Sequence, residues 1–156
     1  MRVLFTGFKG INNSSKILLD KIKCDKKDKL YLTNSFKTSV LELESKLKQQ
    51  HYDLVISLGQ LKLNQDVVRI ELNGIGDKIY RTKYDYSLLE EKLVSAGFKV
   101  IISNKTNYLC NNIYYYGLKM IEENNIDAKM IFIHIPKINS ITDVLLLADV
   151  FNNFIN

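Results

Sequence analysis

Among the side chains able to serve as nucleophile, base or ligand, Cys110 and His134 stand where a fold can use them together. Cys110 follows Asn107-Tyr108-Leu109 and opens a segment of helical character, Asn111 to Glu123. A thiol at a helix N-terminus feels the positive end of the helix dipole, which favours the thiolate. A histidine at the same edge can accept its proton and orient it. By position alone, Cys110 fits a small buried hydrophobe equally well. His134 ends the apolar run Met130-Ile131-Phe132-Ile133, and a histidine at a strand end is by itself more often structural than catalytic. Each takes its weight from the other. The pair is expected side by side, with a depressed thiol pKa at Cys110. Cys24 lies at a helix end among lysines and reads as incidental; His51, beside Gln49, Gln50 and Tyr52, reads as an exposed turn residue. Two cysteines and two histidines this far apart give no metal-ligand spacing, so neither a metal nor a cofactor is expected.

The elements that must position this pair are legible as short apolar runs. Val3-Leu4-Phe5-Thr6, Leu54 to Leu58, Val100-Ile101-Ile102 and Met130 to Ile133 read as buried strands, with Lys29 to Leu32 a weaker fifth. Continuous apolar runs are the mark of parallel strands covered on both faces. Val67 to Leu72 alternates instead and reads as an added antiparallel strand. Helical segments lie between the runs. Phe36, Val40, Leu43 and Leu47 share one face; Ser87 with Glu90 suggests a capping box closed by Gly97; Cys110 to Glu123 and Ile141 to Ile155 complete the set. This alternation implies a three-layer α/β/α sandwich with a mostly parallel central sheet, in a single domain over residues 1–156. Sites in such sheets form beyond the carboxyl ends of the strands. The residues found there are Gly7-Phe8, Gly59-Gln60, Ser103 with the loop to Cys110, and His134, so the chemistry collects at one edge.

Composition narrows the function further. The chain is 46% hydrophobic and 25% charged, which is ordinary for a globular domain with a core of its own. Its net charge of +5 comes from scattered lysines, and the densest stretch, Lys21 to Lys29, is broken by Asp25 and Asp28. That reads as a solvated basic surface and not as a nucleic-acid stripe. No apolar run approaches a membrane span, the opening residues read as a first strand, and two cysteines point to a reducing cytosol.

Five segments, in order along the chain, resemble the pyroglutamyl peptidases (pyrrolidone carboxyl peptidases). They are Val3-Leu4-Phe5-Thr6-Gly7-Phe8, Val55 to Gln60, Arg69-Ile70-Glu71-Leu72-Asn73, Asn107 to Asn111 with Tyr116-Gly117-Leu118, and Phe132 to Pro136. The resemblance implies a cysteine peptidase that removes N-terminal pyroglutamate from a peptide or a small lactam amide. Cys110 would be its nucleophile and His134 its base. Phe8 and Leu109 would wall the lactam ring, Gln60 would lie at its polar edge, and Ile79 is a further pocket position. Assembly of several copies is compatible with the sequence and not specified by it.

Three departures separate the chain from that family. Ile11 replaces an aromatic wall in Lys9-Gly10-Ile11-Asn12-Asn13. The chain is short between Ile79 and Tyr84, and again after Pro136. Matching Arg69 and Asn73 to the family puts Val68 where the third catalytic residue, a glutamate, is expected. A shifted gap would use Glu71 instead, but Glu71 and Val68 point to opposite faces of a strand. The favoured alignment keeps Val68 in that place and leaves the site without its carboxylate. A catalytically impaired relative that binds a small ligand or a partner is the alternative reading.

Overall fold

Residues that are apolar on every position make strands, and those apolar on one helical stripe cover them. The computed structural model describes residues 1–23 and 27–153; Cys24, and the end of the helix expected to run to Ile155, lie outside them. In chain order the elements are β1 (Val3–Phe8), α1 (Ser14–Lys21), β2 (Lys27–Leu32), α2 (Phe36–Gln49), β3 (Leu54–Gln60), β4 (Val67–Glu71), β5 (Asn73–Ile75) and β6 (Ile79–Arg81). There follow α3 (Ser87–Ser95), β7 (Lys99–Ser103), α4 (Tyr108–Glu123), β8 (Lys129–Ile135) and α5 (Val144–Asn153). Six strands form one sheet in the order β2-β1-β3-β8-β4-β7, and β5 and β6 make a separate hairpin. All pairings in the large sheet are parallel except β4 with β8. The mostly parallel sheet and the inserted antiparallel strand are both as the sequence suggested.

Strand parity sorts the core into two halves. Val3, Phe5, Ile56, Leu58, Val68, Ile70, Ile131 and Ile133 pack against Leu18 and Leu19 of α1, Leu89 and Leu93 of α3, and Leu147 and Phe151 of α5. Leu4, Phe8, Val55, Met130 and Phe132 pack on the other face against Leu43 of α2 and Ile113, Tyr114 and Leu118 of α4. Three helices on one side and two on the other complete the three layers.

The ends of α3 show one correction. Ser87 is not the N-cap: Tyr86 occupies that place with no side-chain cap, and the Asp85 carboxylate accepts from the Ser87 backbone and hydroxyl instead. The Asp85 carboxylate satisfies one of the two backbone donors that a capping box would, the Ser87 N–H, while the Glu90 N–H bonds the Tyr86 carbonyl. Gly97 does close the helix as expected. Its φ of 98° admits the left-handed turn, with Gly97 N–H donating to Val94 and Phe98 N–H to Leu93.

Candidate active site

His134 is the next-to-last residue of β8, and parity turns its ring toward α4 on the same face as Met130 and Phe132. Its ring lies 4.9 Å from that of Phe132. Its partner across the antiparallel junction is Arg69, so Arg69 and Glu71 of β4 share that face with it. Glu71 Oε1 lies 2.9 Å from His134 Nδ1, and both side chains are buried. The same Oε1 accepts a short bond from Arg69 Nε. The Tyr114 hydroxyl of α4 donates to the Glu71 backbone carbonyl, tying the end of β4 to the helix above it.

This overturns the placement of Val68 as the residue beside the histidine. Val68 is fully buried in the opposite half of the core, among the residues under α1, α3 and α5. Val68 and Glu71 do lie on opposite faces of the strand, and the histidine is on the Glu71 side. Arg69 pairs with His134, so the face that matters carries odd-numbered residues of β4, and that face holds Glu71. The site therefore has a carboxylate.

Cys110 stands in the first turn of α4. Asn107 precedes the helix without a side-chain cap, and Tyr108 begins it at φ 53°, an uncommon conformation for a residue with a Cβ. Helix geometry leaves the N–H groups of Leu109 and Cys110 without acceptors inside the helix. The thiol rests over Gly59 of β3: a Cβ built on Gly59 would come within 2.9 Å of Cys110 Sγ and 2.8 Å of Phe132 Cζ. Gly59 is the parallel-strand partner of His134. Thiol and imidazole thus sit over adjacent strands, on one face, at the carboxyl end of the sheet.

The electrostatics divide the group. Burial works against a charge on Glu71, but hydrogen bonds from His134 and Arg69 outweigh it and hold the carboxyl below its ordinary range. At Cys110 burial wins. It pushes the thiol up to about 12, the Glu71 charge adds to the effect, and Arg69 opposes it. The expected depressed pKa is therefore not found. A helix N-terminus supplies a fraction of a unit charge, and here that does not offset the loss of water around a thiol packed on Gly59 and Phe132.

The remaining expected pocket residues are spread out. Phe8 is buried beneath α4, and Leu109 packs against the same cluster as Cys110. Gln60 ends β3 on the other face, where its side-chain oxygen accepts from the Ser14 N–H at the start of α1. Ile11 is 91% exposed on the loop after β1. Ile79, 67% exposed, lines a groove of about 740 Å³ with Leu118, Ile121 and Met130. That groove lies toward the amino end of β8, away from His134. No group of three or more ligand-type side chains able to hold a metal occurs among the described residues, and no described helix is long and apolar enough to cross a membrane. Sequence reasoning placed Gly59 at this edge but not the thiol packed on it, missed Tyr114, whose part depends on a contact across elements, and used Arg69 only as an alignment mark.

A thiol, an imidazole and a carboxylate thus gather at the carboxyl edge of a mostly parallel sheet in a three-layer α/β/α protein. Comparison with known proteins narrows this. No family profile matches the chain. The pyrrolidone-carboxylate peptidase of Clostridium perfringens is 25% identical, over 88% of this chain and 79% of its own length. That of Clostridium botulinum is 28% identical, over 90% and 80%. Among solved structures, the pyrrolidone carboxyl peptidase of Fervidobacterium islandicum superposes with a TM-score of 0.86 at 19% identity, covering 99% of this chain and 96% of its own. The pyroglutamyl peptidase I of Bacillus amyloliquefaciens gives 0.87 at 19%, covering 98% and 95%. The structural matches establish the fold, and the sequence matches carry the same name. In sequence and in fold the chain is similar to the pyrrolidone-carboxylate peptidases over most of their length.

Proposed function

We propose that the chain is a cysteine peptidase of the pyroglutamyl type, which hydrolyses the amide bond following an N-terminal pyroglutamyl residue. The observation that carries this reading is the buried Glu71–His134 bond on the face where Cys110 rests over Gly59. Because the thiol is protonated at rest, His134 acts as a general base during attack, with no preformed thiolate. As sulfur bonds to the scissile carbonyl carbon, its proton passes to His134 Nε2. Glu71 keeps the proton of Nδ1 in place and stabilises the imidazolium. The N–H groups of Leu109 and Cys110, free at the start of α4, would receive the oxyanion. Collapse expels the peptide amine, which takes the proton from His134 and leaves a thioester. Water, deprotonated by the same imidazole, hydrolyses the thioester and frees pyroglutamate and Cys110.

A pyroglutamyl ring is uncharged, so its recognition needs apolar walls and an amide partner in place of an ion pair. Phe8 and Leu109 suit the first role. Gln60 turns to the other face of β3, where its side-chain oxygen accepts from the Ser14 N–H, so the expected amide partner does not face the thiol. A free catalytic thiol also suits a reducing cytoplasm.

The test is turnover of a pyroglutamyl-aminomethylcoumarin by the wild-type chain and by Cys110→Ser. Wild-type turnover that falls by about 10³-fold or more in the variant is expected. A wild type without turnover overturns the reading and leaves a non-catalytic ligand-binding relative.

A further inference from the structure

Glu71 is a carboxylate with no exposed surface, and a buried charge needs a compensating partner as well as hydrogen bonds. Its Oε1 is shared by His134 Nδ1 and Arg69 Nε, while its Oε2 is buried without a hydrogen-bond partner. Arg69 stands two residues before Glu71 on the same face of β4 and directly opposite His134 on β8. Its side chain is 23% exposed, so it lies at the rim of the site and not in bulk water. The other groups packed on this cluster are Cys110 and Tyr114 from α4, Ser103 from β7 and Phe132 from β8. None of them is a cation, so Arg69 is the only fixed positive charge in contact with the pair among these groups.

We propose that Arg69 is a positioning residue for the His134–Glu71 pair: it fixes the Glu71 carboxylate on the strand and prevents that carboxylate from trapping a proton on His134. The inference rests on the reading of His134 as the base. An unscreened buried carboxylate beside an imidazole strongly favours the imidazolium, which cannot accept the thiol proton. A guanidinium on the same oxygen lowers that preference. The two sites are coupled, yet the sign does not depend on which atom takes the proton. Removing a neighbouring positive charge makes protonation of the pair easier at either place.

The experiment compares wild type with Arg69→Met, Arg69→Gln and Arg69→Lys in the full chain. The imidazole of His134 is titrated by ring-proton NMR, in a His51→Gln background that leaves one histidine to observe. The pH profile of kcat/KM on a pyroglutamyl-coumarin is measured alongside. In the Met and Gln variants the His134 midpoint should rise by about one pH unit or more, and the acid limb of kcat/KM should move with it. The Lys variant, which keeps the charge and loses the planar fork, should stay within a few tenths of a unit of wild type while kcat falls. An unchanged midpoint in a folded Met or Gln variant overturns the proposal, as does failure of both to fold, which would make Arg69 a requirement of the fold. The NMR readout separates the two hypotheses. A shifted midpoint in a chain without turnover sinks the peptidase reading alone, and robust turnover with an unmoved midpoint and limb sinks the role of Arg69 alone.

Discussion

A carboxylate sealed from solvent, as at Glu71, is costly unless its neighbours need the charge, and the neighbour here is an imidazole. Glu71→Gln keeps the shape and removes the charge that stabilises the imidazolium. It should lower kcat by about 10³- to 10⁴-fold with a smaller change in KM, measured on the pyroglutamyl-coumarin. Val68→Glu, which the favoured alignment would have made restorative, instead buries an unpaired charge among Ile70, Leu89 and Leu147. A loss of stability on the order of 3 kcal/mol is expected, read by denaturant unfolding. Gain of activity in that variant would return Val68 to the site. The thiol makes a separate forecast. With its pKa pushed up to about 12, Cys110 in a Cys24→Ser background should react with iodoacetamide at pH 7 more slowly than a free thiol, with no plateau below pH 9. A plateau at neutral pH would reveal a preformed thiolate–imidazolium pair. The identities of Cys110 and His134 were legible because helix start and strand end are local features. The state of the thiol was not, because burial depends on Gly59 and Phe132, distant in sequence.

At the scale of elements, the site depends on how the start of α4 is fastened. Asn111, next to Cys110, donates from its side chain to the Ile75 carbonyl and accepts from the Ile75 N–H. Gly74, on the same strand β5, lies so close to α4 that an added Cβ would come within 2.6 Å of the Tyr115 backbone. The hairpin is thus clamped to the helix that carries the thiol. Asn111→Ala leaves the Ile75 backbone groups unpaired and should cost about 1–3 kcal/mol in unfolding free energy. Gly74→Ala meets backbone, which cannot rotate away, and should lift the hairpin and lower the melting temperature. If either variant keeps wild-type stability, the clamp is not what holds the hairpin. The inner strands of the large sheet were readable because full burial makes continuous apolar runs, but Val100-Ile101-Ile102, read as a buried strand, is the edge strand β7 with Ile101 and Ile102 exposed, and the other edge, β2, is only half-buried. The hairpin was not readable, because β5 and β6 have three residues each, too few for a period to show. Helix α1 was likewise obscure, since its first turn, Ser14-Ser15-Lys16, is polar in sequence although Ser14 and Ser15 are fully buried. Neither gap hid the chemistry, but the missed hairpin hid what anchors it.

For the whole molecule, the ionisable groups that folding shifts set a pH window for stability. On the acid side, hydrogen bonds from Tyr31 and Tyr52 hold Asp20 and Asp28 below their ordinary values. Glu71 is lowered as well: burial raises it, but His134 and Arg69 prevail. A group lowered by folding stabilises above its unfolded value and loses that contribution as pH falls through the folded one. Those unfolded values are 4.5 for Glu71 and 3.8 for the two aspartates, so the acid decline begins near 4.5 and steepens below it. On the alkaline side, burial raises Cys110 and Tyr31 to about 12, and it raises Tyr52 and Tyr114 as well. A group raised by folding contributes fully below its unfolded value and loses that contribution as pH climbs to the folded one. The unfolded thiol titrates at 9.0 and the tyrosines at 10.0, so the alkaline decline starts near 9 with Cys110 and deepens near 10 with the tyrosines. The melting temperature should therefore be nearly flat between about pH 5 and 8.5 and fall on both sides. Cys110→Ala should delay the alkaline decline to the tyrosine range, and Glu71→Gln should soften the acid one. Calorimetric melts of the three proteins across pH 3–11 test both limbs. Stability that instead rises with pH through 7.5, and stops rising in Cys110→Ala, would mean that the folded thiol loses its proton before the unfolded one. It would also remove the basis for reading His134 as the base that takes the proton during attack.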